Sequence, residues 1–363
     1  MTVTLRRWLL AIVVLVCLVG IIGSRAQQAE FTLRIAFLAS QDDEDFIGAV
    51  AFREALQRRL GDRVAVQIYP SGQFCGNERE CMEALQSGIL EMHQTTIGGL
   101  AGLYGPAQVF DLPYVFADDA VAECVFDGEV PRAMGESMLQ QGLGLRLMAV
   151  GNTGGWRSFA MTERRIARVA DLEGLRIRTL PSALEQEMVR ELGASPMALP
   201  FSEIYTALGA GMLAGTKNSI QDVMGMKFDE HIRHLFVDRH AYMASFWWYS
   251  EKGWQRLPPD VQQAVRESFV ELAAATRRAA KDREAPALAG FKAGGGTVDE
   301  MTPAQRAEFR AATRPLRDWY SSRYPGDWLG RVDAAVAACE ARVAAAPVAA
   351  ATARASPRIE PTT

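Results

Sequence analysis

Histidine is nearly absent from this chain: 363 residues carry four. Cysteine is also sparse, at five, and no spacing among cysteines and histidines matches a common zinc ligand set. No metal or cofactor site is therefore expected. Three catalytic signatures are missing as well: a G-x-S-x-G nucleophile elbow, a G-K-[ST] phosphate loop and an H-E-x-x-H metal motif. The Gly209, Gly211 and Gly215 series lacks dinucleotide spacing and reads as close packing or a helix end. Positive charge is not in excess. Lys and Arg total 39 against 43 Asp and Glu, a net −4, which argues against a protein that coats nucleic acid. A small anion can still be held, because one buried arginine outweighs the global sum. There are no internal repeats. Hydrophobic residues at 49% and charged residues at 23% exclude collagen-like, disordered and polytopic membrane chains. At about 150 residues per domain, the length suggests two domains.

The one long apolar run opens the chain. Arg6 and Arg7 precede an apolar segment from Trp8 to Ile22, and Ser24-Arg25-Ala26 fits a small-x-small cleavage pattern. Residues 1–26 read as a secretory signal peptide, the alternative being an uncleaved anchor. Val16 before Cys17 argues against lipidation. Removing the segment takes away three arginines and no acid, lowering the net charge from −4 to −7. Export permits disulfides. Cys75 and Cys81 flank a helix start and are the expected pair; Cys124 and Cys339 are either bridged or buried thiols.

Phe31, Leu33, Ile35 and Phe37 alternate as a strand, a helix follows over 44–60, and Val64, Val66 and Ile68 alternate again. Asn77 with Glu80 forms a capping box. Strand–helix–strand–helix order points to a parallel sheet with crossovers. A strand is expected over 143–150, followed by a glycine cluster at 151–155 suited to a hinge. Another strand runs from Leu175 to Thr179, with Arg176 and Arg178 on one face, and a Ser182-capped helix extends to Leu192. Ser202 is read as capping a helix over 203–213. Val261, Ala264, Val265, Phe269 and Leu272 mark a long amphipathic helix after Pro259. From Ala344 the composition reads as a disordered tail, 344–363. His231 and His234 would share a helix face. The acidic run Asp42-Asp43-Glu44-Asp45 could suit Ca²⁺, but fits better as the negative start of the first helix.

The block DLEGLRIRTLPSALEQEMVRELGASPMALPFSEIYTALGAGMLAG, residues 171–215, resembles the extracytoplasmic solute receptors of TRAP (tripartite ATP-independent periplasmic) transporters, DctP type. YPSGQF (69–74), ERECMEALQSGILEM (78–92), FDLPYVF (110–116) and LPPDVQQAV (257–265) extend the resemblance over about 31–331. It implies an α/β, two-domain periplasmic-binding-protein clamp with a ligand cleft between the domains and a long helix spanning both. The expected division is 31–150 plus 243–285 for domain one and 151–242 plus 286–340 for domain two.

The resemblance further implies that Arg178 binds a ligand carboxylate. Its planar, permanently charged fork suits that group. Arg157 matches a second cleft arginine, Phe201 an aromatic that packs on the ligand, Asn218 a cleft amide and Thr96 a contact from the opposite domain. Trp156 could wall the pocket. Of Phe246, Trp247 and Trp248, alternation sends Trp247 one way and its neighbours the other, and Trp247 is taken as a pocket residue. Ala214-Gly215-Thr216-Lys217-Asn218 departs from the family's Asp-Gly-Gln-Glu-Asn, leaving open whether Lys217 faces the cleft. The implied function is a non-catalytic periplasmic receptor. It would capture a small organic acid and deliver it to the membrane permease subunits. It would act as a monomer, or alternatively a dimer, without nucleic acid. The alternatives are a ligand sensor for a signalling receptor and a periplasmic enzyme on the same scaffold.

Overall fold

The computed structural model describes residues 29–355; the expected signal peptide and residues 356–363 lie outside the described residues. The first part alternates β1 (Phe31–Ala36), α1 (Glu44–Leu60), β2 (Val64–Tyr69), α2 (Glu78–Ser87), β3 (Met92–Thr95) and α3 (Ile97–Leu100). Helices α4 (Asp119–Phe126) and α5 (Glu129–Gln140) lead to β4 (Leu145–Met161), a 17-residue strand. A second alternating run holds β5 (Arg176–Thr179), α6 (Ala183–Glu191), β6 (Ser195–Ala198), α7 (Ile204–Gly209), β7 (Gly215–Asn218) and α8 (Ile220–Gly225). The 17-residue β8 (His234–Ser250) then returns beside β4. The chain ends in α9 (Glu251–Trp254), α10 (Pro259–Ala293), β9 (Thr297–Glu300), α11 (Pro303–Thr313), α12 (Pro315–Arg323) and α13 (Trp328–Ala355).

Side-chain caps set several of these starts. Asp43 accepts from the Asp45 amide to open α1, Asn77 accepts from the Glu80 amide to open α2, and Ser182 accepts from the Glu185 amide to open α6. Each satisfies an N–H that has no partner within its helix.

One sheet runs through the molecule in the order β2-β1-β3-β8-β4-β7-β5-β6, with β9 also pairing β8. The two outer groups, β2-β1-β3 and β7-β5-β6, are each internally parallel. The antiparallel strands β4 and β8 lie between them and belong to both. Leu145–Asn152 of β4 pairs the end of β8, and Trp156–Met161 pairs its beginning. Between these stretches the register shifts, with Asn152 opposite Ala244 and Trp156 opposite Tyr242. Gly154 and Gly155 absorb the bulge at φ +92° and +85°, a region costly for any residue with a Cβ. A Cβ on Gly154 would also sit 2.3 Å from Ser219 Oγ. The glycine cluster is thus an irregularity within one long strand, rather than a loop after a short one.

Three apolar clusters fill the layers. Helix α10 contributes Phe269 and Leu272 to the cluster over β1 and Phe291 to the one over β9, so this helix packs against both groups of strands. Trp247 is fully buried in the first of these clusters, 6.3 Å from the Phe37 ring, while Phe246 and Trp248 point to the opposite face of β8. Cys75 and Cys81 form the expected disulfide across the entry to α2, with Cα atoms 5.3 Å apart. A second disulfide, Cys124–Cys339, ties α4 to α13 across 215 residues.

Other expectations are corrected. The helix read over 203–213 is a 3₁₀ turn, Phe201–Glu203, followed by six helical residues, and Ser202 caps nothing. Gly211, at φ +66°, ends the run early. His234 begins β8 and does not share a helix with His231. The residues Leu235-Phe236-Val237 that follow pair with β9, where branched and aromatic side chains fit a pleated surface. The segment from Ala344 continues α13 to Ala355, as its alanine content favours. Among the described residues, no helix is long and apolar enough to cross a membrane.

Candidate functional site

The strand ends of the two outer groups face a common cavity of about 50 Å³. Ligands in open α/β sheets sit at such carboxyl ends. Arg178 reaches the cavity from the end of β5 and is 1% exposed. Its Nε and Nη2 donate to the Leu199 carbonyl at 3.0 and 2.9 Å. That side-on pair fixes the guanidinium plane and leaves the end-on edge of the fork without a protein partner among the described residues. Burial pushes its pKa down to about 10, against the pull of Glu185, so it stays charged at neutral pH.

Arg157, on β4, is equally enclosed at 3% exposure. Its Nη1 donates to the Lys217 carbonyl at 3.2 Å, its Nη2 lies 3.5 Å from Thr96 Oγ1, and its Nε has no partner. Thr96 follows β3, so this long contact bridges the two strand groups. Among the described residues, neither arginine has a carboxylate oxygen within 4.0 Å. Buried charges are normally paired; here two guanidiniums border one cavity, and among the described residues neither touches a carboxylate directly.

Lys217 faces inward, but its charge is taken. Nζ donates to Glu185 Oε2 at 2.9 Å in a fully enclosed pair. Burial pushes the Glu185 carboxyl up, yet Lys217, Arg157 and Arg178 outweigh it and hold it well below the carboxylate range.

The same cavity also carries acids. Asp43 and Asp45, at the start of α1, share the hydroxyl of Thr153 at 3.2 and 3.0 Å. Asp222, in α8, accepts from Asn218 Nδ2 at 2.8 Å. All three carboxylates line the cavity, and burial raises each above its ordinary range. The sequence reads Asp43 and Asp45 as the negative start of the first helix, with Ca²⁺ as the alternative, and does not single out Asp222. The signal available was four acids in a row, more than a cap requires.

Five of the seven expected site residues meet here: Arg178, Arg157, Asn218, Phe201 and Thr96 all line the cavity. Trp156 and Trp247 do not. Trp156 is adjacent to Arg157 on an extended strand, so the two side chains take opposite faces. Its Nε1 donates to Asp119 Oδ1 at 2.8 Å and its ring packs edge-on to Tyr242. Trp247 lies in the core behind the sheet, its Nε1 donating to Ser245 Oγ. Among the described residues, no group of three or more His, Cys, Asp or Glu could hold a metal ion.

Two strand groups joined through a shared pair of long strands, with a charged cavity between their ends, define a two-domain solute-binding clamp of mixed α/β class. The chain matches the sequence model of bacterial extracellular solute-binding protein, family 7 (DctP), over residues 35–323 and belongs to that family. It is 28% identical to the 2,3-diketo-L-gulonate-binding periplasmic protein YiaO of Escherichia coli K12, over 85% of this chain and 94% of that protein. To the C4-dicarboxylate-binding periplasmic protein DctP of Rhodobacter capsulatus it is 27% identical, over 84% and 91%. A TRAP periplasmic solute binding protein from Desulfovibrio salexigens, solved with bound orotic acid, superposes with a TM-score of 0.79 at 26% identity, covering 86% and 99%.

Proposed function

We propose that this protein is an exported receptor that captures a small carboxylate-bearing solute and delivers it to the permease subunits of a TRAP transporter. The observation that carries this reading is the unpaired couple Arg178 and Arg157, two buried cations bordering one cavity. A ligand carboxylate would take the end-on edge of Arg178, with Arg157 alongside and Phe201 packing on its apolar part. The division suggested by the sequence would make the β7-β5-β6 group the anchor and the β2-β1-β3 group the closing jaw. Relatives and structural neighbours named for diketogulonate, C4-dicarboxylates, erythronate and orotic acid support an acid as the ligand.

A thermal-shift screen against organic acids tests the capture step. A binder present at 100 times its Kd stabilises the fold by about 2.7 kcal/mol. Stabilisation by acids, and by none of their neutral amides, is the expected outcome; stabilisation by amides and acids alike would remove the carboxylate from the argument. Delivery is tested by solute uptake into vesicles carrying the permease, with and without the receptor.

A further inference from the structure

The cavity that would take the carboxylate is bipolar, and its second pole is unexplained by an acid alone. Four carboxylates line it (Asp43, Asp45, Glu78 and Asp222) against two guanidiniums. Glu78 is engaged with His93 Nε2 at 2.9 Å. The other three have no cation within 4.0 Å among the described residues; Arg283 reaches only the neighbouring Glu44, at 3.2 Å. Asp45 and Asp222 are 1% and 5% exposed, so solvent does not neutralise them. Asp45 Oδ1 has no hydrogen-bond partner at all. Gln94, from β3 and 5% exposed, lines the same cavity with its Nε2 also unpartnered.

An ionised carboxylate buried here would need a partner of opposite charge, as a buried guanidinium does, and a hydrogen-bonding cation on the ligand would supply one. A second carboxylate on the ligand would be driven against Asp45 and Asp222. A hydroxyl would donate a hydrogen bond to them but bring no positive charge. A bound metal is disfavoured by the absence, among the described residues, of a converging metal-ligand group.

Building on the carboxylate reading, we propose that the ligand is a zwitterion, its carboxylate held by Arg178 and Arg157 and its N–H-bearing cationic nitrogen by Asp45 and Asp222, with Asp43 at the rim. Burial raises the carboxyls of Asp45 and Asp222 in the empty cleft; a bound cation draws them back toward the ionised form.

The test is calorimetry with matched sets of probes. Glycine, β-alanine, 4-aminobutyrate and 5-aminovalerate vary the distance between the charges. The dicarboxylates malonate, succinate and glutarate, and 4-hydroxybutyrate, replace the ammonium with an acid or a hydroxyl. The expected result is that one amino acid binds at least tenfold more tightly than the dicarboxylate and hydroxy acid of its length. Asp45→Asn or Asp222→Asn erases that preference, and Arg178→Ala abolishes binding of every probe. If a dicarboxylate or hydroxy acid binds as tightly as the amino acids and remains sensitive to Arg178→Ala, the zwitterion inference falls and the carboxylate receptor stands. Dicarboxylate binding that appears only with added Ca²⁺ overturns the inference in favour of a metal bridge. If no acid or amino acid binds, or binding survives Arg178→Ala, both readings fall.

Discussion

Lys217 Nζ donates to Glu185 Oε2 at 2.9 Å where neither side chain reaches solvent. This lysine therefore adds no free cation to the cleft; it neutralises a carboxylate carried on α6. Breaking such a pair leaves a buried charge alone, so Lys217→Met is expected to cost ~3–5 kcal/mol, with much of it recovered in the double variant Lys217→Met/Glu185→Leu. Denaturant unfolding of the three proteins checks this. The folded-state pKa of Glu185 lies below its unfolded value of ~4.3. Its contribution is thus fully present above that value and is lost as pH falls toward the folded one. Wild-type protein should lose stability on acidification below about pH 4 more steeply than the double variant.

Arg178→Ala should weaken binding of the cognate acid by about two to four decades, the equivalent of ~3–5 kcal/mol for a buried charge left unpaired. Arg178→Lys keeps the charge but loses the fork and the Leu199 contacts, and should bind poorly as well. Arg157→Ala should cost less. Titration calorimetry on folded protein ranks the three, and near-wild-type binding by Arg178→Ala refutes the assignment.

The acidic wall carries the opposite pH signature. Burial raises Glu44 to about 8 and Asp45 well above its ordinary value. Between the unfolded values near ~4 and these folded ones, the native state binds more protons than the unfolded state, so stability falls as pH rises. The melting temperature of ligand-free protein should decline from pH 5 to pH 8. Asp45→Asn should flatten that decline, and an unchanged slope would show that Asp45 keeps its charge throughout.

Gly98, on α3, meets the other jaw. A Cβ there would sit 2.5 Å from Leu180 Cδ1 and 2.6 Å from Glu185 Oε1. Glu185 is held by Lys217 and cannot swing aside. Gly98→Ala should bias the clamp open and weaken ligand binding about tenfold, since apparent affinity scales with the closed-competent fraction. Small-angle scattering would show a larger radius of gyration, and an unchanged radius with unchanged affinity would count against closure at this contact.

Trp247 and Phe201 should separate stability from binding. Trp247→Ala empties a core site and should cost ~3–5 kcal/mol of folding stability while the folded fraction binds normally. Phe201→Ala should do the reverse. Parallel melting and binding curves distinguish the two.

Much of the cleft was legible because local chemistry encodes it. The strand that carries Arg178 near its end, closed by Pro181 and the Ser182 cap, is written in consecutive residues, and so are the Asn77 cap and the Cys75–Cys81 bridge; the reciprocal half of the Asn77 box does not form, because Glu80 accepts instead from the Gly76 amide and Asn77 Nδ2. What was not legible depends on which face a side chain takes. Trp156 and Arg157 are neighbours, and only the pairing of β4 with β8 decides which one looks into the cavity. Trp247 obeyed strand alternation, yet alternation alone did not say which side was the cleft. Asp222 and Asp45 lie 177 positions apart, and nothing local announces that they share a wall. The Cys124–Cys339 bridge is hidden by the same separation in sequence.

The shared strands also dictate the order in which the molecule can be built. Among the described residues β3 pairs only β1 and β8, and β4 only β7 and β8. Until residues 234–250 are available, the residues before them hold two half-sheets with open edges. Domains that fold one after another as they emerge from the ribosome do not have this problem; here a little over two-thirds of the chain must be present before the central ladder can form. Such long-range pairing makes for slow folding. A nascent chain whose central ladder waits for residues 234–250 is expected to stay incompletely folded through much of its synthesis, a condition compatible with the export proposed above.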